Sequence, residues 1–381
     1  MRSTLYLSLV ALSISAQPQL SHVDVFKAGS GGYSAYRIPT IVAAGDGSLL
    51  VFAEARRDNR GDPGGGDIDL VCSRSTDQGR TWSPPQLIDD PGEKWSASNP
   101  TPLLDRSNGR LWIFYNRWEP GMGTIASRPG TNNNQMWART SDDHGQSWSA
   151  PRDLTRVSRD YDTWGAIFPG PGGAIQTRSG RLLIPAAMKY DAYSLVGAHG
   201  SESTMRTYTI FSDDNGKTWQ RGSLTHALTN ENQMVELADG SVLMDARQNS
   251  GEHRWNMFTN DGGKTWSRPR PGQAVAPICA SIRRYSSETS GDRNRLLWTA
   301  PAGPGRKNLV IRISYDEGQT WMNERLLYGG LAAYSDIVVL PKGNAGVVWE
   351  RGVSDTYQFV TFTSFNREFL EPTGTLIPSI R

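Results

Sequence analysis

One eight-residue pattern occurs five times in this chain of 381 residues. The pattern is Ser/Thr-x-Asp-x-Gly-x-Ser/Thr-Trp, and its copies are STDQGRTW at 75–82, SDDHGQSW at 141–148, SDDNGKTW at 212–219, TNDGGKTW at 259–266 and SYDEGQTW at 314–321. Five matches to so specific a pattern do not arise by chance, so the chain contains an internal repeat. We call the five copies the Asp boxes.

The spacing of the Asp boxes predicts the size of the repeating unit. Their tryptophans are 66, 71, 47 and 55 residues apart, which suits a four-stranded propeller blade with its loops. Short β-rich runs such as RLWIFYNRW at 110–118 recur between the boxes and are bounded by Gly, Pro, Asp or Asn. Helical periodicity of useful length is absent. The sequence therefore predicts an all-β propeller, in which the last run, YQFVTFTSF at 357–365, pairs with the first strand.

The Asp box has a local structural explanation. Asp and Gly are residues of tight turns between two strands, and an Asp carboxylate can accept backbone N–H groups within such a turn. The tryptophan that ends each box can bury a large ring between neighbouring strands and fix the hairpin. We therefore interpret the boxes as structural, one per blade, and look for the chemistry elsewhere in the chain.

The first residues of the chain have the pattern of an export signal. Arg2 precedes the short apolar run LYLSLVALSISA, which ends in small residues and is too short to span a bilayer comfortably. This pattern predicts a signal peptide over residues 1–16, cleaved after Ala16, and a propeller domain over residues 22–381. The expected location is secreted or periplasmic, or the lysosomal lumen if the chain is of animal origin. No transmembrane segment is expected in the mature chain.

Charge, histidine and cysteine content narrow the partners. The formal net charge is +2 and no block of five basic residues exists, so no nucleic-acid partner is expected. None of the five histidines has metal-ligand spacing and no phosphate-binding loop is present, so neither a metal nor a cofactor is expected. We interpret Cys72 and Cys279, each in a strand-like run, as buried free thiols, with a disulfide between them left open.

Charged residues and one tyrosine at the ends of the apolar runs are the candidates for chemistry. Each has an ordinary explanation when taken alone: an arginine at a strand end is usually solvated or ion-paired, and a tyrosine usually packs. The candidates are Arg37, Arg56, Asp62, Glu231, Glu236, Arg247, Arg306, Tyr334 and Glu350.

Taken in order, these residues resemble those of the exo-sialidase (neuraminidase) family of bacteria and animals. The motifs that carry the resemblance are YRIP at 36–39, the Asp boxes, FAEAR at 52–56, YS at 334–335 and WE at 349–350, and the match covers about residues 23–365. The resemblance implies a six-bladed β-propeller with its site at the axis, in which the sixth blade is built partly from the two chain ends.

The resemblance also implies roles for the arginines. Arg37, Arg247 and Arg306 match the three arginines that bind the substrate carboxylate, and guanidinium groups suit that task because they bind carboxylates bidentately and stay charged. Glu350 matches the acid that braces Arg37 and offsets the mutual repulsion of the three cations. Arg56 matches an arginine on the O4 side of the sugar.

Three further residues match the family's catalytic groups. Tyr334 matches the nucleophile, Glu231 its partner base, and Asp62 the acid/base that protonates the leaving oxygen. Glu236 is the alternative to Glu231, and Asp67 or Asp69 could be mistaken for Asp62. A neutral phenol avoids the repulsion that a carboxylate would meet at a carbon already bearing a carboxylate. We expect Glu231 to take its proton and the neighbouring arginines to lower its pKa.

One position departs from the family pattern. Asn99, in SNPT at 98–101, stands where many bacterial relatives have Asp near the O4 and acyl groups of the sugar. This departure leaves open whether the sugar carries N-acetyl, N-glycolyl or a deaminated hydroxyl at C5. The aromatic candidates for the pocket that receives this group are Trp118, Trp137, Trp164 and Phe168.

The sequence thus predicts a secreted, monomeric, retaining exo-α-sialidase that releases terminal sialic acids from glycoproteins, glycolipids and oligosaccharides. A trans-sialidase, an intramolecular anhydro-forming variant and a sialidase preferring deaminated sialic acid use the same core and stay open. A non-catalytic Asp-box propeller acting as a lectin or sorting module is the alternative from another class, because fold alone does not give function.

Overall fold

The structure is a computed structural model that describes residues 17–58, 61–190, 204–226 and 228–372. The predicted signal peptide, residues 1–16, lies outside the described residues. Strands dominate the described ranges, in which the helical segments are short: α1 (Thr155–Ser158), α2 (Arg367–Leu370) and two 3-10 turns, Glu288–Ser290 and Pro341–Gly343. None of the helices in these ranges is long and apolar enough to cross a membrane. The chain is all-β, as predicted.

The described residues contain twenty-four strands. The first twelve are β1 (Leu20–Lys27), β2 (Ala35–Ala43), β3 (Leu49–Arg56), β4 (Ile68–Ser75), β5 (Gln86–Asp89), β6 (Ser96–Asp105), β7 (Arg110–Trp118), β8 (Asn134–Ser141), β9 (Arg152–Asp153), β10 (Trp164–Pro169), β11 (Ile175–Gln176) and β12 (Leu182–Tyr190). The others are β13 (Met205–Ser212), β14 (Gln220–Arg221), β15 (Thr229–Glu236), β16 (Val242–Gln248), β17 (His253–Thr259), β18 (Arg270–Ala274), β19 (Ser281–Ser286), β20 (Arg295–Pro301), β21 (Lys307–Ser314), β22 (Met322–Leu340), β23 (Asn344–Gly352) and β24 (Phe359–Phe365).

These strands form four sheets, and nearly all neighbouring strands are antiparallel. The orders are β2-β3-β4-β6-β7-β8-β9 with β5 on β4, β10-β12-β13-β14 with β11 on β12, β15-β16-β17-β18, and β1-β24-β23-β22-β21-β20-β19. A single parallel pair, Ile68 with Ser96, joins β4 to β6 in the first of these sheets. In the last sheet, the long strand β22 pairs with β21 through its first half and with β23 through its second half.

The two ends of the described chain meet in the last sheet. Strand β1 is its edge strand and pairs antiparallel with β24, from Leu20 opposite Phe365 to Lys27 opposite Phe359. The expected pairing of the last apolar run with the first strand is therefore confirmed. The paired strand includes Leu20 and Ser21, just ahead of residue 22, where we placed the start of the domain.

The core of the described residues consists of seven hydrophobic clusters between packed strands. Strand β3 is buried at all eight of its residues, because neighbouring strands cover both of its faces. Cys72 and Cys279 are buried free thiols in two different clusters, which confirms our interpretation of them. A buried carboxylate, Asp336 in β22, accepts hydrogen bonds from Ile41 N (3.0 Å), Gln233 Nε2 (3.1 Å) and the Ser281 hydroxyl (2.9 Å). Asp336 thus connects β22 to β2, β15 and β19 near the centre of the molecule.

The Asp boxes form the expected turns. In the first box the Asp77 carboxylate accepts hydrogen bonds from the Ser75 hydroxyl (2.8 Å), Thr81 N (2.9 Å) and the Thr81 hydroxyl (2.7 Å). The bond from the threonine hydroxyl is the main cause that lowers the pKa of Asp77 to about 2. Equivalent bonds are made by Asp143, Asp214, Asp261 and Asp316.

The boxes also pack beyond their own hairpins, which the sequence did not predict. The Trp82 ring lies 5.4 Å from that of Phe362 in β24, and the Trp219 ring lies 5.6 Å from that of Trp112 in β7. The glycine of the box takes part in this contact, since a Cβ on Gly216 would lie 2.2 Å from the Trp112 ring. The boxes therefore hold successive parts of the sheets together as well as closing hairpins.

Candidate active site

Eight of the nine predicted site residues line one cavity of about 310 Å³. They come from seven separate parts of the chain and are Arg37, Arg56, Asp62, Asn99, Glu231, Arg247, Arg306 and Tyr334. The ninth residue, Glu350, is fully buried directly behind Arg37. The structure thus brings together residues that are up to 313 positions apart in sequence.

Shifts in the strand register direct these side chains towards the cavity. The antiparallel register shifts at residues 37–40, 98–101, 229–232 and 332–335, each at a strand segment that faces the cavity. Such bulges re-aim side chains that a regular strand would direct elsewhere. At the first of them Ile38 has a φ of 54°, a costly conformation for a β-branched residue.

Glu350 organises one side of the site from behind. Its carboxylate accepts hydrogen bonds from Arg37 Nε (2.7 Å), Ile38 N (2.9 Å) and Tyr334 N (3.2 Å). Burial disfavours the charge of Arg37, but the Glu350 carboxylate together with Tyr357 and Tyr334 outweighs this effect and raises the pKa of the guanidinium. One buried carboxylate therefore holds the Arg37 side chain and the backbone at Tyr334 in a fixed relation.

The Tyr334 hydroxyl lies between a carboxylate and a guanidinium. It donates to Glu231 Oε1 (2.6 Å) and accepts from Arg247 Nη1 (2.8 Å), which also donates to Glu231 Oε2 (2.6 Å). Burial and the Glu231 charge raise the pKa of Tyr334, and Arg247 only partly opposes them. Arg247 lowers this pKa as expected, but burial and the Glu231 charge outweigh its effect, so the net shift is upward. The phenol is therefore protonated, and its proton points at the carboxylate that can take it.

A tyrosine that the sequence did not single out connects two of the arginines. The Arg37 guanidinium stacks over the Tyr357 ring, with Cζ 3.8 Å from the ring centroid. Arg306 donates a hydrogen bond to the Tyr357 hydroxyl, and its Cζ lies 5.4 Å from the Tyr334 ring centroid. Tyr357 lies between β23 and β24, so only the tertiary fold reveals its position beside the arginines.

The opposite wall of the cavity contains a second acid–arginine pair. Arg56 donates to Glu54 Oε2 from Nη2 (2.6 Å) and from Nε (3.1 Å), and both side chains are buried. Glu54 also accepts from Asn99 N (3.0 Å), while the Asn99 side chain donates to the carbonyl of Pro169 (3.2 Å). Glu54 stands in the FAEAR motif but was not predicted as a site residue.

Asp62 differs from the other acids because its side chain is 88% exposed. It lines the cavity mouth, and its Oδ1 lies 3.5 Å from Arg56 Nη1. Its competitors in sequence lie outside the cavity lining: Asp69 accepts from the Tyr33 hydroxyl (2.6 Å), and both Asp67 and Asp69 pair with Arg57.

Glu236, the alternative to Glu231, also lies away from this cavity. Its carboxylate accepts from Arg178 N (2.8 Å), and the residue lines a different pocket. Among the described residues, only Glu231 has a carboxylate bonded to the Tyr334 hydroxyl.

The four aromatic candidates divide into two pairs. Trp118 and Phe168 line the cavity and pack in one cluster with Met205, another lining residue that the sequence did not indicate. Trp137 and Trp164 do not line it: the Trp137 ring packs under the Arg117 guanidinium, and the Trp164 ring packs edge-on against Tyr208. Trp137 and Trp164 are therefore packing residues and do not belong to the site.

Acids and arginines carry the chemistry of this cavity. In the described ranges, no group of three or more His, Cys, Asp or Glu side chains is arranged to hold a metal ion. The arrangement offers three guanidinium groups for an anion, a phenol with an adjacent base, and an exposed carboxyl at the mouth.

Comparison with known proteins shows a repeat domain and then relatives that match most of this chain. Residues 47–347 match the family described as a BNR repeat-like domain. Among curated relatives, the sialidase of Micromonospora viridifaciens is 29% identical over 93% of this chain, and Sialidase-2 of Rattus norvegicus is 28% identical over 90%. The chain belongs to the sialidase family. It spans 55% of the length of the first relative and 94% of the second.

Solved structures show the same similarity. The Hadza microbial sialidase Hz136 superposes with a TM-score of 0.81 at 27% identity, covering 92% of this chain and 69% of that one. An intramolecular trans-sialidase from Ruminococcus gnavus superposes with a TM-score of 0.77 at 19% identity, covering 93% and 98%. At that identity the second match supports the fold alone.

Proposed function

We propose that this protein is a retaining exo-α-sialidase that hydrolyses terminal sialic acids of glycoproteins, glycolipids and oligosaccharides. The observation that carries the proposal is the Tyr334 hydroxyl, which donates to Glu231 and accepts from Arg247 beside two further arginines in one cavity. A lectin would need the arginines, but it would have no use for a phenol bonded to a base together with an acid at the mouth.

The fold we propose for this function is a six-bladed β-propeller. Division of the first sheet at its parallel pair and of the last sheet within β22 gives six groups of about four strands. The inner strands support this division, because β2 contacts β6 and β22, while β19 contacts β15 and β22. Each of the seven hydrophobic clusters in the described ranges contains residues from two successive groups, and one of these clusters also includes Ile38 of β2 and Tyr334 of β22.

In the proposed first step the substrate carboxylate binds Arg37, Arg247 and Arg306. The Tyr334 oxygen attacks the anomeric carbon and Glu231 takes the phenolic proton. Asp62 protonates the leaving glycosidic oxygen as its bond to that carbon breaks. The aglycone leaves as an alcohol, and the sugar is joined to Tyr334. The fixed guanidinium groups stabilise the planar, oxocarbenium-like state by position and charge.

In the second step a water molecule attacks the same carbon and gives its proton to Asp62. The bond to Tyr334 breaks, and the phenolate recovers its proton from Glu231. Two displacements at one carbon retain the configuration. Because burial and the Glu231 charge raise the pKa of Tyr334, the phenol stays neutral until attack begins, and proton transfer to Glu231 accompanies that attack.

The cellular setting belongs to the same proposal. The predicted leader over residues 1–16 supports export from the cytoplasm. The proposed enzyme acts on sialoglycoconjugates as a monomer. The side chains near C5, Trp118, Phe168 and Met205, would face the acyl or hydroxyl group that distinguishes one sialic acid from another.

The test is release of 4-methylumbelliferone from its sialic acid glycoside, compared with hydrolysis of sialyllactose. We expect Tyr334→Phe to be poor on both substrates, because it removes the nucleophile. We expect Asp62→Ala to lose about 10²–10⁴-fold on sialyllactose, the usual size of a general-acid contribution. Its loss on the aryl glycoside should be much smaller, because an aryl leaving group needs little protonation.

The outcomes separate the candidate functions. A wild-type protein that binds free sialic acid but is inert on the N-acetylated and the deaminated glycoside would be a lectin. Transfer of the sugar to added lactose in preference to water would show a trans-sialidase. Inverted configuration in the first-formed product would exclude the tyrosyl intermediate.

A further inference from the structure

The proposed acid, Asp62, has little to fix its side chain. Within the described residues its carboxylate has one ion-pair partner, Arg56, at 3.5 Å, and the side chain is 88% exposed. An acid must nevertheless lie within hydrogen-bond reach of the oxygen that it protonates. Its position must therefore be determined mainly by the backbone at Asp62 and at the residues that follow.

That backbone docks directly on a second loop. Gly121 N donates to the carbonyl of Gly64 (2.9 Å), and a Cβ on Gly64 would lie 2.4 Å from Gly123 N. A Cβ on Gly123 would lie 2.7 Å from the carbonyl oxygen of Pro63, the residue next to Asp62. The backbones of the two loops touch at Gly64 and Gly123, with no room for a side chain between them.

The second loop, residues 119–133, is itself fixed by hydrogen bonds from buried side chains. The buried guanidinium of Arg159 donates to the carbonyls of Arg128 (2.6 Å), Thr131 (3.1 Å) and Asn134 (3.1 Å). The buried Ser127 hydroxyl donates to the carbonyl of Gly123 (3.1 Å). These contacts make the loop a firm support for the residues that pack on it.

A buried hydroxyl anchors the Asp62 loop from another direction. Ser96, at the start of β6, accepts a hydrogen bond from Gly64 N (3.0 Å) and donates one to the carbonyl of Gly66 (2.8 Å). Gly64 is therefore fixed through its N–H, its carbonyl and its lack of a side chain.

We propose that Gly123 and Ser96 are positioning residues for the acid step. Through Pro63 and Gly64 they hold the Asp62 carboxyl at the height of the glycosidic oxygen. This inference rests on the proposed role of Asp62. A displacement of about 1 Å can cost about 10²-fold in rate when the displaced group takes part in the reaction.

Leaving-group dependence in the full-length protein tests the inference. Gly123→Ala pushes on the Pro63 carbonyl, and Ser96→Ala removes the anchor without adding bulk. For both variants we expect kcat/KM for sialyllactose to fall about 10²-fold while kcat/KM for the aryl glycoside falls far less. The selectivity between the two substrates is the readout, because a merely unstable enzyme loses both activities alike.

Two matched controls account for the chemistry of the substitutions. Gly45→Ala adds a methyl outside the two loops, where the backbone is not left-handed and the nearest atom, in the His144 ring, lies 3.6 Å away. Ser73→Ala removes a buried hydroxyl that bonds the Ser83 carbonyl in another part of the molecule. Both controls should keep the wild-type selectivity.

The result that would overturn the inference is distinct from failure of the proposed function. If Asp62→Ala shows the selective loss but Gly123→Ala and Ser96→Ala keep wild-type selectivity, these residues do not position the acid. If Asp62→Ala itself shows no selectivity, the proposed role of Asp62 fails first. Should Gly123→Ala not fold, Ser96→Ala decides alone.

Discussion

At the scale of single residues, the site depends on groups that neutralise or space its arginines. Glu350 braces Arg37 from behind, and Tyr357 stacks on the same buried guanidinium while accepting a hydrogen bond from Arg306. Converging cations repel each other when no substrate is bound, so each needs a fixed partner. Tyr357 supplies such a partner without adding a negative charge that would compete with the substrate carboxylate.

Removal of the Tyr357 ring should weaken substrate binding. A desolvated cation–π contact is worth about 2 kcal/mol, so we expect Tyr357→Ala to raise KM about thirtyfold while kcat changes less. Tyr357→Phe keeps the ring and should have a smaller effect. Steady-state kinetics on the aryl glycoside measures both. Tyr161→Ala, which removes a ring stacked on Arg156 outside the cavity, is the control. An unchanged KM in Tyr357→Ala would show that the ring does not position Arg37.

The sequence predicted the site residues that belong to recognisable motifs but not those that act through tertiary contacts. Arg37, Tyr334 and Glu231 stand at predicted strand ends, and the fold brings them together. Glu54 and Tyr357 escaped prediction because their importance lies in contacts with residues brought near only by folding. The register shifts that aim the side chains were missed for a similar reason, since a bulge depends on the partner strand.

At the scale of strands and turns, the Asp box has two functions. Its hydrogen bonds close a hairpin, which follows from local turn chemistry and was predicted. Its glycine and tryptophan pack against a strand of the preceding group, as Gly216 and Trp219 pack against Trp112. Such a contact has no local signature, because the partner strand lies about a hundred residues away.

A methyl group at the box glycine should therefore destabilise the fold. Gly216 has a φ of 82°, and its added Cβ would lie 2.2 Å from the Trp112 ring. Gly180→Ala is the matched control, because Gly180 has a φ of 93° with nothing within 4 Å of the added Cβ. We expect Gly216→Ala to cost about 1–3 kcal/mol more than Gly180→Ala, through overpacking. Urea denaturation measures the difference, and equal midpoints would contradict the packing role.

At the scale of the whole molecule, hydrogen-bonded carboxylates connect distant strands and stabilise the turns. The buried Asp336 carboxylate connects β22 to β2, β15 and β19, so it joins the first and last parts of the proposed propeller. The Asp boxes repeat one hydrogen-bonded carboxylate five times, and these hydrogen bonds favour the ionised form of each carboxyl group.

Stability should fall steeply in acid because of the boxes. The pKa values of Asp77, Asp143, Asp214 and Asp261 are lowered to about 2, chiefly by hydrogen bonds from Ser or Thr. A lowered pKa in the folded state stabilises above the ordinary value of about 4, and this stabilisation is lost as pH falls towards 2. We expect Tm to drop between pH 4 and pH 2. Asp77→Asn should lower Tm at pH 6 and reduce that drop, and an unchanged slope would contradict this assignment.

The pairing of β1 with β24 has a consequence for how the chain is made. Strand β1 leaves the ribosome first, but its partner is synthesised last, about 330 residues later. Until β24 has been made, residues 20–27 have no ladder to join, and the group they complete cannot form. A circular permutant that joins the two ends would place β24 and β1 in one hairpin. In the native order, this edge of the sheet is completed only after β24 has been made.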